Sequence, residues 1–355
     1  MSQIKVLLDI CLQKNLNFVA YSLPNKEGFE VIIEHHLLCS NVKSGFVFHP
    51  FEVSSDNPEV LIHADFRTNS GVVDNDFIEE IKKLPAIPVK EKAEELIAIS
   101  KEEYLEHLHT GIEKLKNKEL NKFIFSRIHS LKKPTNFSSV DYMLRLQKKL
   151  PTAFVYLLNH ENAGTWMGAT PETLINWKGK GISTMALAGT QPNTGVKPNW
   201  SPKEIEEQAY VTSYIEKAFT NNNIQYQKSD VETVAAGPVF HLKTNISSTQ
   251  NVNFEQAENL TKAFHPTPAV CGVPLQKAKE LIANLEPHYR SYYTGYLGIL
   301  NPNKELNLFV NLRCLQVLPN SLALYLGGGI TANSNAEKEW DETNFKAETL
   351  LGELH

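Results

Sequence analysis

The chain has 355 residues, 42% of them hydrophobic and 21% charged, with a formal net charge of −5. That mix suits a soluble globular protein, and the acidic balance offers no basic footprint for nucleic acid or an anionic membrane surface. No apolar stretch is long enough to span a bilayer. The run Met1-Ser-Gln-Ile-Lys-Val-Leu-Leu-Asp9 is too short and too polar for a signal peptide, so the cytoplasm is the expected location.

Residues 1–95 carry the short apolar runs Phe18-Val-Ala-Tyr21, Val31-Ile-Ile33 and Gly45-Phe-Val-Phe48. Split by Asn, Gly and Pro turns, they read as strands of a sheet, without a chemical motif. Pro85, Pro88 and the charged run from Lys90 to Glu95 read as a surface connection. Ser100-Lys-Glu-Glu103 is a capping box, and Tyr104, Leu108, Ile112 and Leu115 give the helix after it one apolar face. A strand over 122–128, a helix over 139–149 and a strand over 153–158 follow. Segment 166–177 sets turn residues, Pro171 among them, before an apolar run; 182–188 is a strand ending at Gly189-Thr190.

Ser201-Pro202-Lys203-Glu204 starts a helix that runs to about residue 221, with Ser as N-cap and Pro at the first helical position. Strands over 224–228 and 239–247 and helices over 253–264 and 274–285 complete the middle. Strands over 295–300, 306–317 and 322–326 are joined by the turns Asn301-Pro-Asn303 and Pro319-Asn-Ser321, as antiparallel hairpins are. Gly327-Gly328-Gly329 reads as a turn into the last helix, which Ser334 and Glu337 open as a capping box. Trp340, Thr343, Ala347, Leu350 and Leu351 recur at helical spacing and should face a core. There is no repeat. The expectation is one α+β domain over 1–355, with large, mostly antiparallel sheets packed with helices. The cysteines at 11, 39, 271 and 314 have no CxxC spacing, so neither a zinc site nor a disulfide framework is expected, and Cys271 and Cys314 read as buried, inert thiols.

Chemistry concentrates on a few residues. Two helices each offer a carboxylate pair at i, i+3: Glu204 with Glu207, and Glu339 with Glu342. Carboxylates gathered at one point repel unless a cation or proton intervenes, and oxygen-only ligands suit Mg²⁺. Each has a plainer reading: Glu204 is what the third position of a capping box requires, Glu207 is an exposed helical residue, and Glu342 with Lys346 makes a surface pair. Gly327 to Gly329 can aim backbone N–H groups at an anion, or simply turn. Lys122 opens an apolar strand, where a neutral lysine acts as a base or a charged one snorkels. Glu172, after Pro171, is either a loop carboxylate or a desolvated proton donor. Arg313, inside the 306–317 strand, needs an anionic partner if it points inward. His241 and His265 read as hydrogen-bonded residues rather than metal ligands.

From about residue 120 onward these segments, taken in order, resemble the chorismate-utilising enzymes, and among them the isochorismate synthases. The resemblance rests on Lys122-Phe-Ile-Phe-Ser-Arg127, Gly168-Ala-Thr-Pro-Glu172, Leu187-Ala-Gly-Thr190 and His265-Pro-Thr-Pro-Ala-Val-Cys-Gly272. It continues through Leu285-Glu-Pro287, Leu312-Arg-Cys314, Gly327-Gly-Gly-Ile330 and Glu339-Trp-Asp-Glu-Thr343. Residues 1–95 match weakly.

The resemblance implies the chorismate-utilising fold and a Mg²⁺-dependent conversion of chorismate to isochorismate. Lys122 would activate water, and Glu172 would protonate the departing hydroxyl. Glu207 and Glu342 would bind Mg²⁺ directly, with Glu204 and Glu339 reached through water. Thr190, His241, Tyr293, Arg313, Lys346 and the Gly328–Gly329 backbone would hold the substrate. Relatives that use ammonia typically lack the lysine at 122, so no glutaminase subunit is expected. Two departures stand out. Gln208 follows Glu207 where relatives often have histidine, and Tyr293 stands where some isochorismate synthases have phenylalanine, which leaves a salicylate-forming activity open. A salicylate synthase and a non-catalytic chorismate-binding homologue are the other readings, and Lys122 with Glu172 argues against the second.

Overall fold

The computed structural model describes residues 2–35, 44–68, 71–90, 97–237 and 239–354. Among the described residues the chain forms eight helices and two nine-stranded sheets, as the α+β expectation requires. In the first sheet the strands lie in the order Gly272–Val273, Lys122–Lys132, Ser321–Ile330, Cys314–Val317, Gly164–Thr170, Phe154–His160, Phe18–Ser22, Glu30–Ile33 and Phe66–Arg67. In the second the order is Tyr226–Lys228, Val239–Ser248, Ile182–Pro192, Thr173–Trp177, Glu305–Val310, Tyr296–Asn301, Gly45–His49 and Val60–His63. Glu232–Ala236 also pairs with Val239–Ser248. The pairings are antiparallel.

The strands place alternate side chains on opposite faces, and both faces of the first sheet are buried. Phe18, Ala20, Val155 and Leu157 face outward onto the helices Gln3–Gln13, Asn75–Lys82 and Ser139–Lys149. Their neighbours Val19, Tyr21, Phe154 and Tyr156 face the second sheet and meet Phe46, Phe48, Leu297 and Phe309. Aromatic rings fill that middle layer: Phe48 stacks on Tyr292 and Phe154 on Phe309, each with centroids 4.2 Å apart. The outer face of the second sheet carries the helices Pro202–Asn221 and Phe254–Phe264 through Val211, Ile215, Phe219 and Leu260. Each such buried side chain contributes about 1.5–3 kcal/mol, so burial on both faces makes the first sheet a large contributor to stability.

Several sequence expectations need correction. Helices Gln3–Gln13 and Asn75–Lys82 lie where only strands are expected. The first buries Leu7, Leu8 and Cys11, a helical spacing within one short run, and Asp74 caps the second by accepting from Phe77 N at 2.8 Å. Most of the charged run ending at Glu95, and Cys39, lie outside the described residues. Segment 306–317 is not one strand. It breaks after Val310, and Arg313 adopts a left-handed φ of 48° before the chain enters the other sheet at Cys314. Gly327 to Gly329 do not turn; they continue the strand Ser321–Ile330, paired with Ser126, Phe125 and Ile124. The last helix, Ala336–Leu351, is capped by Asn335, which accepts from Lys338 N at 3.1 Å. Ser334 instead closes the preceding turn by accepting from Thr331 N at 3.1 Å. Cys11, Cys271 and Cys314 are free and buried.

Candidate active site

The site forms where the chain twice passes from one sheet to the other. Gly164–Thr170 belongs to the first sheet and Thr173–Trp177 to the second, so Pro171 and Glu172 span the gap. Glu305–Val310 and Cys314–Val317 make the reverse crossing through Arg313. The two crossings are sewn together. Thr170 Oγ1 donates to Val310 O at 2.6 Å, Val310 N to Glu172 O at 3.0 Å and Ala169 N to Arg313 O at 3.1 Å. Glu172 and Arg313 are thereby fixed beside one another's strands, although 141 positions separate them (313 − 172).

A cavity of about 90 Å³ opens at this crease, lined by Glu172, Thr190, His241, Tyr293, Arg313 and Lys346 among others, with Gly327, Gly328 and Gly329 as one wall. Glu172 is 3% exposed, and burial raises its carboxyl to about 8 against the partial opposition of Lys122. It is therefore mainly protonated at neutral pH. Arg313 is partly buried, and desolvation pulls its guanidinium down to about 10. No carboxylate lies within ion-pair range of it among the described residues; its donors go to Ala236 O at 2.9 Å and His241 Nε2 at 2.8 Å. His241 Nδ1 donates to Gly189 O at 2.8 Å. With one nitrogen donating and the other accepting, the ring is neutral; burial, then the charge of Arg313, lowers its pKa to about 3. A cationic group held by neutral partners in this small cavity is suited to an incoming carboxylate.

Around the glycine strand, carboxylates meet ammonium groups. Lys122 Nζ, fully buried at the start of its strand, lies 3.0 Å from Glu207 Oε1 on the Pro202–Asn221 helix. Burial alone would raise the Glu207 carboxyl, but Lys122 and Lys203 reverse this and bring it to about 2. Glu339 pairs with Lys203 at 2.5 Å, and Glu342 with Lys346 at 2.7 Å. Lys346 also donates to Gly327 O at 2.9 Å. A Cβ at Gly329 would overlap the Glu207 carboxylate, so a larger residue there would push that side chain out of its present place. Glu207 lines the cavity and Lys122 stands behind it. The structure thus brings together the predicted residues, with Glu204 at the margin. Glu204 closes the capping box with Ser201, accepting from Ser201 N at 2.9 Å, and lines a larger cleft of about 730 Å³ with Glu339 and Glu342.

The donors suit an oxygen-preferring dication in kind. Glu339 Oε2 is buried without a hydrogen-bond partner, and a Cβ at Gly328 would stand within 3.7 Å of both Glu339 Oε2 and Glu342 Oε1. Among the described residues, however, no three acidic, histidine or cysteine side chains are already drawn together as ligands; Glu207, Glu339 and Glu342 are each held by a lysine and Glu204 by Ser201.

Sequence reasoning missed three supporting groups. Lys203 appears there only in a helix-start motif, although its i, i+4 spacing to Glu207 was a visible signal. Arg127 lies 4.0 Å over the Trp340 ring and donates to Thr343 Oγ1 at 2.9 Å and Asn344 Oδ1 at 2.6 Å. It pins the Glu339–Glu342 helix to the Lys122 strand. Glu286 accepts from Ser126 N at 2.7 Å and pairs with Arg290 at 2.6 Å, while Arg290 donates to Ile124 O at 2.9 Å. No local pattern announces that bracing.

Comparison with known proteins follows this geometry. The family model described as chorismate binding enzyme matches residues 72–355. The isochorismate synthase DhbC of Bacillus subtilis is 28% identical over 269 residues, covering 70% of this chain and 67% of that protein. The isochorismate synthase EntC of Escherichia coli K12 is 28% identical over 243 residues, 66% of this chain; the match spans 62% of that protein's length. Among solved structures, the menaquinone-specific isochorismate synthase MenF of Escherichia coli superposes with a TM-score of 0.79 at 18% identity, covering 100% of this chain and 92% of that one. Anthranilate synthase component I of Streptococcus pneumoniae TIGR4 gives 0.67 at 15% identity, covering 94% and 92%. These two likenesses speak for the fold. Among the described residues no helix is long and apolar enough to cross a membrane. With the match spanning both crossings, the glycine wall and both carboxylate helices, the chain belongs to the chorismate binding enzyme family.

Proposed function

We propose that this protein is an isochorismate synthase, an isomerase that acts in the cytoplasm on chorismate alone. The observation that carries the reading is one small cavity in which a protonated carboxyl, Glu172, and an unpaired guanidinium, Arg313, share the lining, with Lys122 behind Glu207. The named isochorismate synthases among its relatives support the same reaction.

In this reading Arg313, steadied by His241, receives a substrate carboxylate, with Thr190, Tyr293, Lys346 and the Gly328–Gly329 backbone completing the cradle. Lys122, in its neutral form, takes a proton from water as the water oxygen bonds to C2. The ring double bonds shift and the C4–O bond breaks with its electron pair. Glu172 gives its proton to that oxygen, which leaves as water, so the atoms balance. Glu207 and Glu342 would hold a Mg²⁺ ion directly, with Glu204 and Glu339 reached through water, and the ion would supply positive charge to offset a substrate carboxylate.

The test is to incubate purified protein with chorismate and MgCl₂ and to resolve the products chromatographically. Isochorismate is the expected product. Salicylate with pyruvate as the main products would replace the reading by salicylate synthesis, and unchanged chorismate would leave a binding protein.

A further inference from the structure

Three carboxylates and three ammonium groups face one another around the glycine wall, paired one to one. Two of the lysines have work in the proposed reaction: Lys122 on water, Lys346 on substrate. Lys203 has none. It does not line the Glu172 cavity but the larger cleft on the far side of Glu339, together with Ser201, Asn333 and Asn335. Its side chain is 20% exposed, while that of its partner Glu339 is 2% exposed. Burial lowers the Lys203 pKa and Glu339, Glu342 and Glu207 more than reverse this, leaving it above the ordinary lysine value. One ammonium therefore sits in the combined field of all three carboxylates, the position whose charge a dication would supply.

We propose that Lys203 is a built-in counter-cation: it neutralises the unloaded carboxylate cluster, and a divalent ion binds by displacing it into the cleft. The proposal rests on the reading that these carboxylates bind a dication. The physical argument is that a buried carboxylate left unpaired is strongly destabilising, so the empty site needs a cation of its own. Two cations on one carboxylate cluster repel, so one must leave. Lys203 lines the roomy cleft of about 730 Å³ and can swing into it, whereas Lys346 lines the small cavity and is held by Gly327 O at 2.9 Å. Lys203 then sets the cation affinity without touching substrate.

Two experiments test this. Titration calorimetry with MgCl₂, without substrate, compares wild type with Lys203→Met, Lys203→Gln and Lys203→Arg. The neutral variants should bind the ion about tenfold more tightly or better, and Lys203→Arg should bind close to wild type. Equal or weaker binding by folded neutral variants overturns the proposal. The second uses wild type only, so it does not depend on any variant folding. Trace acetylation read by mass spectrometry should label Lys203 several-fold faster with MgCl₂ than without, while exposed Lys338 is unchanged. Unchanged or slower labelling of Lys203 while the ion binds overturns the displacement. If calorimetry finds no Mg²⁺ binding by wild type or variants, the metal reading itself fails, and the inference with it.

Discussion

Glu172→Gln separates the catalytic use of a buried acid from its cost to the fold. The substitution keeps shape and hydrogen-bonding capacity but removes the ionisable proton. The Glu172 carboxyl stands at about 8, raised by burial from 4.5. The folded protein therefore binds this proton more tightly than the unfolded chain does. Its contribution to stability is complete below 4.5 and is lost as pH rises toward 8. Integrating the linkage, wild type loses about 3 to 4 kcal/mol between pH 5 and pH 8 that the glutamine variant keeps. Urea unfolding of both proteins at pH 5, 6, 7 and 8, followed by tryptophan fluorescence, measures the difference directly. The variant's advantage should grow with pH and level off above pH 8, while turnover falls by about 10²–10⁴-fold for want of the acid. In wild type, kcat/KM should fall as pH rises through about 8, because the protonated form is the active one. A stability difference that does not change with pH would refute the buried-acid argument. Near wild-type turnover would remove Glu172 from the chemistry.

Three further outcomes are expected. Lys122→Gln should cut isochorismate formation by about 10²–10⁴-fold, and an unchanged rate in the chromatographic assay would make Lys122 a structural lysine. His241→Ala leaves Arg313 short of a partner, so KM for chorismate should rise about tenfold or more, with a smaller change in kcat; initial-rate kinetics showing an unaltered KM would exclude that positioning role. Excess EDTA should abolish turnover, and Glu207→Gln or Glu342→Gln should cost far more activity than Glu204→Gln, whose carboxylate is already used by its helix cap. Equal losses in steady-state assays would show that the direct ligands are misassigned.

Much of the molecule was legible in local pattern. The capping boxes at Ser100 and Ser201 form as the spacing requires, because a cap is decided by residues three positions apart. The stripe Thr343, Ala347 and Leu350 is buried, and Glu342 with Lys346 forms the pair its spacing allows. The site residues Lys122, Glu172, Arg313 and the glycines could be named in sequence order, as could the antiparallel α+β class.

What a linear pattern could not carry was the second sheet. Segment 306–317 has one continuous apolar pattern, yet its two halves belong to different sheets, because apolar residues on both sides of Arg313 satisfy whichever layer receives them. The glycines at 327 to 329 look like a turn and are strand, since their ten-residue ladder with 122–132 outweighs their conformational freedom. Burial of Glu172, the pairing of Lys122 with Glu207 and the pairing of Lys203 with Glu339 all depend on strands and helices far apart in the chain. The sequence by itself determined which side chains were present and which helices would carry them. Only the tertiary structure decided which were dry, which were paired and which faced the cavity, because desolvation and charge pairing are set by neighbours in space rather than along the chain.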